Sequence, residues 1–339
     1  MKRISGVTGV VIISLLFGGA CRHQRSSDES TPMTDLVDNR EVAAAFAAFK
    51  EATAHCPVPD RVRENTGRVI VTGFGLFGSQ FNISGIVAMS MSNPDFWPSE
   101  VNLRTSRARN SAVFRHGDVQ TKHGVYLLTR DLTIDDHDYQ VCFLLLDVKW
   151  DLAAAIILHE AGIFKPDLVI MGGMNGREPT AAYFETGAVN EATLSTGFTA
   201  EGHRLPTNVP AGGDLRVLQS LPADHLAKMT WDAELLAQRT EATVAAISRN
   251  VTFSTRAAPI RRDNDYICNN VSFAVTSGLT GQAVALAGGA IRIPAQNTGA
   301  KVGFLHYPYQ ASVEGRADHA EEVFGWTKLL ASIIRITLP

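Results

Sequence analysis

The residue types best placed for chemistry centre on Cys268, in the run Asp265-Tyr266-Ile267-Cys268-Asn269-Asn270-Val271. Apolar Ile267, Val271, Ala274 and Val275 recur at helical spacing, and Gly278 is a plausible stop. Polar Asp263, Asn264 and Asp265 precede the run and can cap a helix. Cys268 is therefore expected in a first helical turn. Unpaired N–H groups and the positive end of the helix dipole favour a thiolate there. That is what a cysteine nucleophile needs. The same context also suits a buried structural cysteine, and the residues alone leave both readings open.

A thiol nucleophile needs a base. Of the ten histidines, His306 has the most telling setting, in Val302-Gly303-Phe304-Leu305-His306-Tyr307-Pro308. It ends an apolar strand just before a proline, where an edge or loop is expected to open. A structural histidine is the competing reading. His159, beside Glu160, reads as a helix surface residue, and no HExxH motif follows it. Glu185 follows Tyr183 and Phe184, where a carboxylate could orient an imidazole or simply be solvated.

The elements that must position these groups alternate between strand and helix. Residues 68–72, 125–130, 141–148, 166–171 and 301–307 are apolar or β-branched runs and read as strands, with 185–190 as a further one. Residues 150–161, 231–249 and 318–336 read as helices, the first of them amphipathic. Such alternation predicts an α/β fold, a three-layer sandwich whose mixed, largely parallel sheet is covered by helices on both faces. Residues 68–72 enter Gly73-Phe74-Gly75-Leu76-Phe77-Gly78, literally the GxGxxG dinucleotide fingerprint. Phe74 and Phe77 are bulky where a pyrophosphate turn needs small groups. Asp95, at the acidic position, sits in a turn signal, Asn93-Pro94-Asp95. The nucleotide reading is therefore set aside.

Four separated segments, in order, resemble the pyroglutamyl-peptidase I family of cysteine peptidases. The first is Val71-Thr72-Gly73-Phe74-Gly75-Leu76-Phe77-Gly78 with Asn82 and Ser84. The second is Pro166-Asp167-Leu168-Val169-Ile170-Met171-Gly172-Gly173 with Gly176-Arg177, followed by Glu185, Ala188 and Asn190. The third is Tyr266-x-Cys268-Asn269, and the fourth is Gly303-Phe304-Leu305-His306-x-Pro308. The resemblance spans residues 68–336. It implies a triad in which Cys268 attacks, His306 is base and then acid, and Glu185 orients His306. It implies hydrolysis of the amide bond after an N-terminal pyroglutamyl or similar small acyl group, with no metal and no cofactor. The partner it implies is a peptide with a blocked N-terminus. Phe74 and Phe77 would line the pocket for the flat ring, against the alternative that both are ordinary core residues.

The chain departs from the family in places. Ser195 stands where the family has an arginine that helps polarise the carbonyl, and a hydroxyl carries no fixed charge. Asn264 replaces a frequent glycine. The intervals from Glu185 to Cys268 and from Cys268 to His306 are long, which implies insertions. These departures motivate an alternative, an envelope lipoprotein of impaired catalysis that uses the fold to bind peptides.

The start of the chain reads as an export signal. Lys2 and Arg3 precede an apolar run over 7–17, then Gly18, Gly19, Ala20 and Cys21. The run is shorter than the roughly 20 residues of a spanning helix. The pattern resembles a lipoprotein signal with Cys21 as the lipidation site, despite Gly18 at a position usually held by leucine. The expected organisation is a signal over 1–21, a tether and helix over 22–66, and a catalytic domain over 67–339 with an insertion around 200–262. The expected location is the bacterial cell envelope, lipid-anchored, or otherwise periplasmic or secreted. With 19% charged residues and a net charge of −3, the chain has no basic stripe, which argues against nucleic acid as a partner. Its four cysteines are too scattered for a disulfide scaffold, and no close Cys/His cluster marks a structural zinc site. An oxidising compartment would allow Cys56 and Cys142 to pair; whether they do, and whether the chain forms a homo-oligomer, is left open.

Overall fold

The computed structural model describes residues 39–52, 54–59, 66–75, 82–93, 121–175, 178–190, 226–260, 267–313 and 319–339. Cys21, Phe77, Ser195 and the expected capping residues 263–265 lie outside these. In chain order the elements are α1 (Asn39–Lys50), β1 (Gly67–Phe74), α2 (Ile83–Met91), β2 (Val125–Ile134), β3 (His137–Leu146), α3 (Leu152–Phe164), β4 (Leu168–Asn175), β5 (Ala181–Glu185) and β6 (Gly187–Val189). They continue with β7 (Leu226–Lys228), α4 (Ala233–Ala245), β8 (Ser254–Ala258), α5 (Ile267–Leu279), β9 (Val284–Leu286), β10 (Ile291–Ile293), β11 (Lys301–Pro308) and α6 (Ala320–Thr337). Among the described residues no helix is long and apolar enough to cross a membrane.

Seven strands form one sheet in the order β2-β3-β1-β4-β11-β5-β8. The β3-β1, β1-β4, β4-β11 and β5-β8 pairs are parallel, and β2-β3 and β11-β5 are antiparallel. The sheet is therefore mixed and mostly parallel. Its central strands are buried on both faces, which explains why β1, β4 and β11 read as continuous apolar runs. Helices α2, α4 and α6 cover one face. Helices α3 and α5 cover the other, and α1 lies against α3. The segment expected as an insertion contains β7, α4 and β8, and β8 is an edge strand of this main sheet.

Several local expectations are corrected by packing. Helix α3 is not amphipathic: it is buried along almost its whole length, because the sheet, α5 and α1 enclose it. Gly278 does not end α5, which continues to Leu279. A Cβ at Gly278 would stand 2.5 Å from the Leu158 side chain, so this glycine permits close contact between α5 and α3. His306 does not open onto an edge, since β11 lies between β4 and β5. His159 is not a surface residue. It is half-buried, with its ring edge-on to Phe46, Phe49 and His55 at centroid distances of 5.9, 5.7 and 5.4 Å.

That cluster sits beside a disulfide. Cys56 and Cys142 are bonded with Cα atoms 5.9 Å apart, so the segment after α1 is tied to a central position of β3. The Cys56 N–H donates to Glu160 Oε2 at 2.6 Å, and His55 Nδ1 lies 2.7 Å from Glu160 Oε1. Burial pushes the Glu160 carboxyl upward against the opposing pull of these two partners. Burial pushes His159 downward, and His55 and Lys50 add to that direction.

Candidate active site

The site is built where β4, β11 and α5 meet. Strand β4 carries two successive glycines pointing to opposite faces. A Cβ on Gly172 would stand 2.8 Å from the Thr72 carbonyl and 3.1 Å from the Ser84 side chain of α2. A Cβ on Gly173 would point to the other face, 2.7 Å from the Phe304 ring and 3.0 Å from Cys268 Sγ. The missing side chain of Gly173 thus makes the space into which the thiol descends. In the parallel register, Gly173 is the partner of His306 on β11. Cys268, the second residue of α5, thereby shares this face of the sheet with His306.

Glu185 reaches the same histidine from the other side of β11. The antiparallel β11-β5 register pairs His306 with Tyr183 and Leu305 with Phe184, so Glu185 ends β5 diagonally from His306 on the same face. Glu185 Oε1 lies 2.7 Å from His306 Nδ1. An ionised carboxylate only accepts, so Nδ1 carries the hydrogen and donates. Cys268, His306 and Glu185 are all buried, at 5%, 4% and 5% exposure. The Phe304 ring, 4.6 Å from the imidazole between centroids, packs on the same face.

Sequence reasoning placed no role on the residues that hold this arrangement. Asn269 follows the thiol and is fully buried. Its Oδ1 accepts from the Val189 N–H at 3.0 Å and its Nδ2 donates to the Val189 carbonyl at 2.7 Å. This two-bond clamp ties α5 to β6, just past Glu185. Asn269→Ala should cost about 2–3 kcal/mol, because two buried backbone groups lose their partners, and urea unfolding measures it. Asp151 and Asn270 form a second clamp at the same end of α5. Asn270 Nδ2 donates to Asp151 Oδ1 at 3.0 Å, and Asn270 Oδ1 accepts from the Asp151 N–H at 3.2 Å.

Trp231 fixes Glu185 from behind. Its indole N–H donates to the Glu185 carbonyl at 2.8 Å, and its ring packs against Phe184. The ring occupies the place of a side chain at Gly303: a Cβ there would fall 1.8 Å from it. Gly303→Ala must therefore displace Trp231. We expect a loss of about 1–3 kcal/mol from overpacking, visible as a lowered Tm with a shift in tryptophan fluorescence.

Of the two residues expected to line a ring pocket, Phe74 ends β1 and packs in the main core at 2% exposure. A Cβ on Gly73 would meet Ser84 of α2, so alternation turns Phe74 to the face that Gly173 and Cys268 share. Phe77 lies outside the described residues, as do Ser195 and Cys21, the residue expected to be lipidated.

The layers and the strand order define an α/β three-layer fold. Solved structures of similar fold include pyroglutamyl peptidase I from Bacillus amyloliquefaciens, with 14% identity and a TM-score of 0.43 over 80% of this chain and 94% of that one. They also include a futalosine hydrolase mutant from Helicobacter pylori, at 8% identity and TM-score 0.35 over 80% and 100% of the two chains. A third is a 5'-methylthioadenosine/S-adenosylhomocysteine nucleosidase from Colwellia psychrerythraea, at 9% identity and TM-score 0.38 over 80% and 96%. No family model matches the chain, and no curated protein matches it.

Proposed function

We propose that this chain is an exported thiol hydrolase that cleaves the amide bond after an N-terminal pyroglutamyl or similar small acyl group of a peptide. One observation carries the reading. A buried His306–Glu185 pair and the Cys268 thiol converge on Gly173 from three separate segments. This is the nucleophile, base and orienting acid of acyl transfer. The four ordered motifs of the sequence support it independently.

With Nδ1 held by Glu185, Nε2 is the nitrogen that takes the proton of Cys268. The thiolate attacks the acyl carbonyl, and the amine leaves with the proton from His306. Water, activated by the same imidazole, then cleaves the thioester and releases the acid. Cys268 stands in the first turn of α5, at the positive end of the helix dipole, which suits the developing oxyanion. Phe74 shares a face with the thiol, where it suits a flat ring. Phe77 is assigned the same role from its motif. Cys21 is assigned lipidation, which would hold the domain at the cell envelope. The Cys56–Cys142 disulfide supports an oxidising compartment.

The test is hydrolysis of a fluorogenic pyroglutamyl amide, beside acetyl and alanyl amides and a thiol-directed probe. The expected result is turnover favouring the pyroglutamyl substrate, with the probe on Cys268. No turnover of any acyl amide, together with no labelling of Cys268, would replace the enzyme with a peptide-binding envelope protein. Ser195, in the position of the family's arginine, is the observation favouring that second reading.

A further inference from the structure

The cluster beside the disulfide has no part in the reaction proposed above. It combines three donors from two places in the chain. His55 follows α1, and His159 and Glu160 are successive residues of α3. One ligand atom from each can be chosen so that all lie within 4.8 Å of one another. His55 Nδ1 and Glu160 Oε1 are already 2.7 Å apart.

We propose that His55, His159 and Glu160 form a metal site for a divalent transition ion of the zinc class, which pins the arm carrying α1 to α3. Two imidazoles and one carboxylate are a donor set that suits zinc and its borderline neighbours, cobalt and nickel. The outer contacts have the form that metal ligands usually show. The Cys56 N–H holds Glu160 Oε2, which orients the carboxylate and leaves Oε1 turned toward His55. Phe49 stands edge-on to both imidazoles, at 5.2 Å from His55 and 5.7 Å from His159, and Phe46 flanks His159 at 5.9 Å. These walls restrict the rings. The disulfide fixes the residue next to His55 to β3.

The ion takes the place of the direct hydrogen bond between His55 Nδ1 and Glu160 Oε1. Two donors on a tetrahedral zinc stand roughly 3.4 Å apart, given zinc–nitrogen distances of about 2.0–2.1 Å. Side-chain rotations therefore draw His159 inward. His55 is 21% exposed at its side chain, which gives the ion a path from solvent, whereas Glu160 is fully buried. Lys50 is the opposing charge on this face. Its ammonium stands over the Phe46 ring, 5.3 Å from the centroid.

The test uses the full chain in mild detergent, stripped with a chelator and titrated with Zn²⁺ by calorimetry and with Co²⁺ by visible absorption. The comparison protein is His159→Phe, which keeps an aromatic ring among Phe46, Phe49 and His55 while removing a donor. The wild type should bind one more equivalent of Zn²⁺ than His159→Phe, or bind that equivalent at least about 10-fold more tightly. It should show a tetrahedral Co²⁺ spectrum that the variant lacks, and a Tm raised by Zn²⁺ only in the wild type. Cys268→Ser should keep all three signals, which separates this site from the triad. His55→Gln provides the second ligand deletion if His159→Phe proves unstable without metal. Equal Zn²⁺ binding and equal spectra in wild type and both variants, or no binding by the wild type, would overturn the proposal.

Discussion

Cys268→Ser should lower kcat/KM for a pyroglutamyl amide by at least about 10³-fold, the scale on which a lost nucleophile acts. The exchange replaces one atom, in a space made by the absence of a side chain at Gly173. Stability should therefore stay within about 1 kcal/mol of the wild type. The chemistry is affected because a hydroxyl ionises far less readily than a thiol, and nothing else in the pocket changes. This separates the nucleophile from its surroundings better than a change at His306 does. Removing that imidazole strands the buried Glu185 carboxylate, which costs roughly 3–5 kcal/mol and confuses folding with catalysis. Hydrolysis rates read beside urea unfolding decide the matter. Serine-containing protein that retains wild-type turnover would remove Cys268 from the mechanism.

The second large effect concerns stability. Replacing both Cys56 and Cys142 by alanine should cost about 4 kcal/mol, because the bond closes a loop with a sequence separation of 86 and restricts the unfolded chain accordingly. Both positions are buried, so the loss should be thermodynamic rather than a surface effect. The measurement is the urea unfolding curve of the double variant against the oxidised wild type, with a lower midpoint and an m-value that rises as the freed unfolded chain exposes more surface. A midpoint within error of the wild type would mean that α3 and the aromatic cluster hold the arm unaided. The Cys56 N–H also donates to Glu160, so the double variant should loosen the contact between the arm and α3 as well.

Much of this architecture is legible in the residues, for physical reasons that also mark where legibility stops. Strands β1, β4 and β11 are central and buried on both faces, so their apolar runs declare them. Strand β5 carries Glu185, the acid of the proposed triad, yet does not announce itself. Its sequence, Ala181-Ala182-Tyr183-Phe184-Glu185, has no β-branched residue, and only pairing with β11 and β8 makes it a strand. Helix α2 is hidden for the opposite reason. Every residue in it is buried, so it has no polar face to mark a period. His306 and Glu185 could be named from their motifs, but their separation could not be, since it follows from the β11-β5 register. Trp231 and Asn269 position the site through backbone contacts, and no residue pattern encodes those. His55 and His159 are apart in sequence until α1 and the disulfide bring them together. That is why His159 reads as a surface residue until the fold is known.

Among the described residues strand β11 is the last strand, yet it lies between β4 and β5 in the sheet. A chain that emerges from its amino end first can assemble β1, β3 and β4 while the slot between β4 and β5 still stands vacant. Filling that slot delivers His306 to both Glu185 and Cys268 in a single event. A chain that lacks β11 also lacks His306, so the proposed triad would be complete only once the sheet has closed.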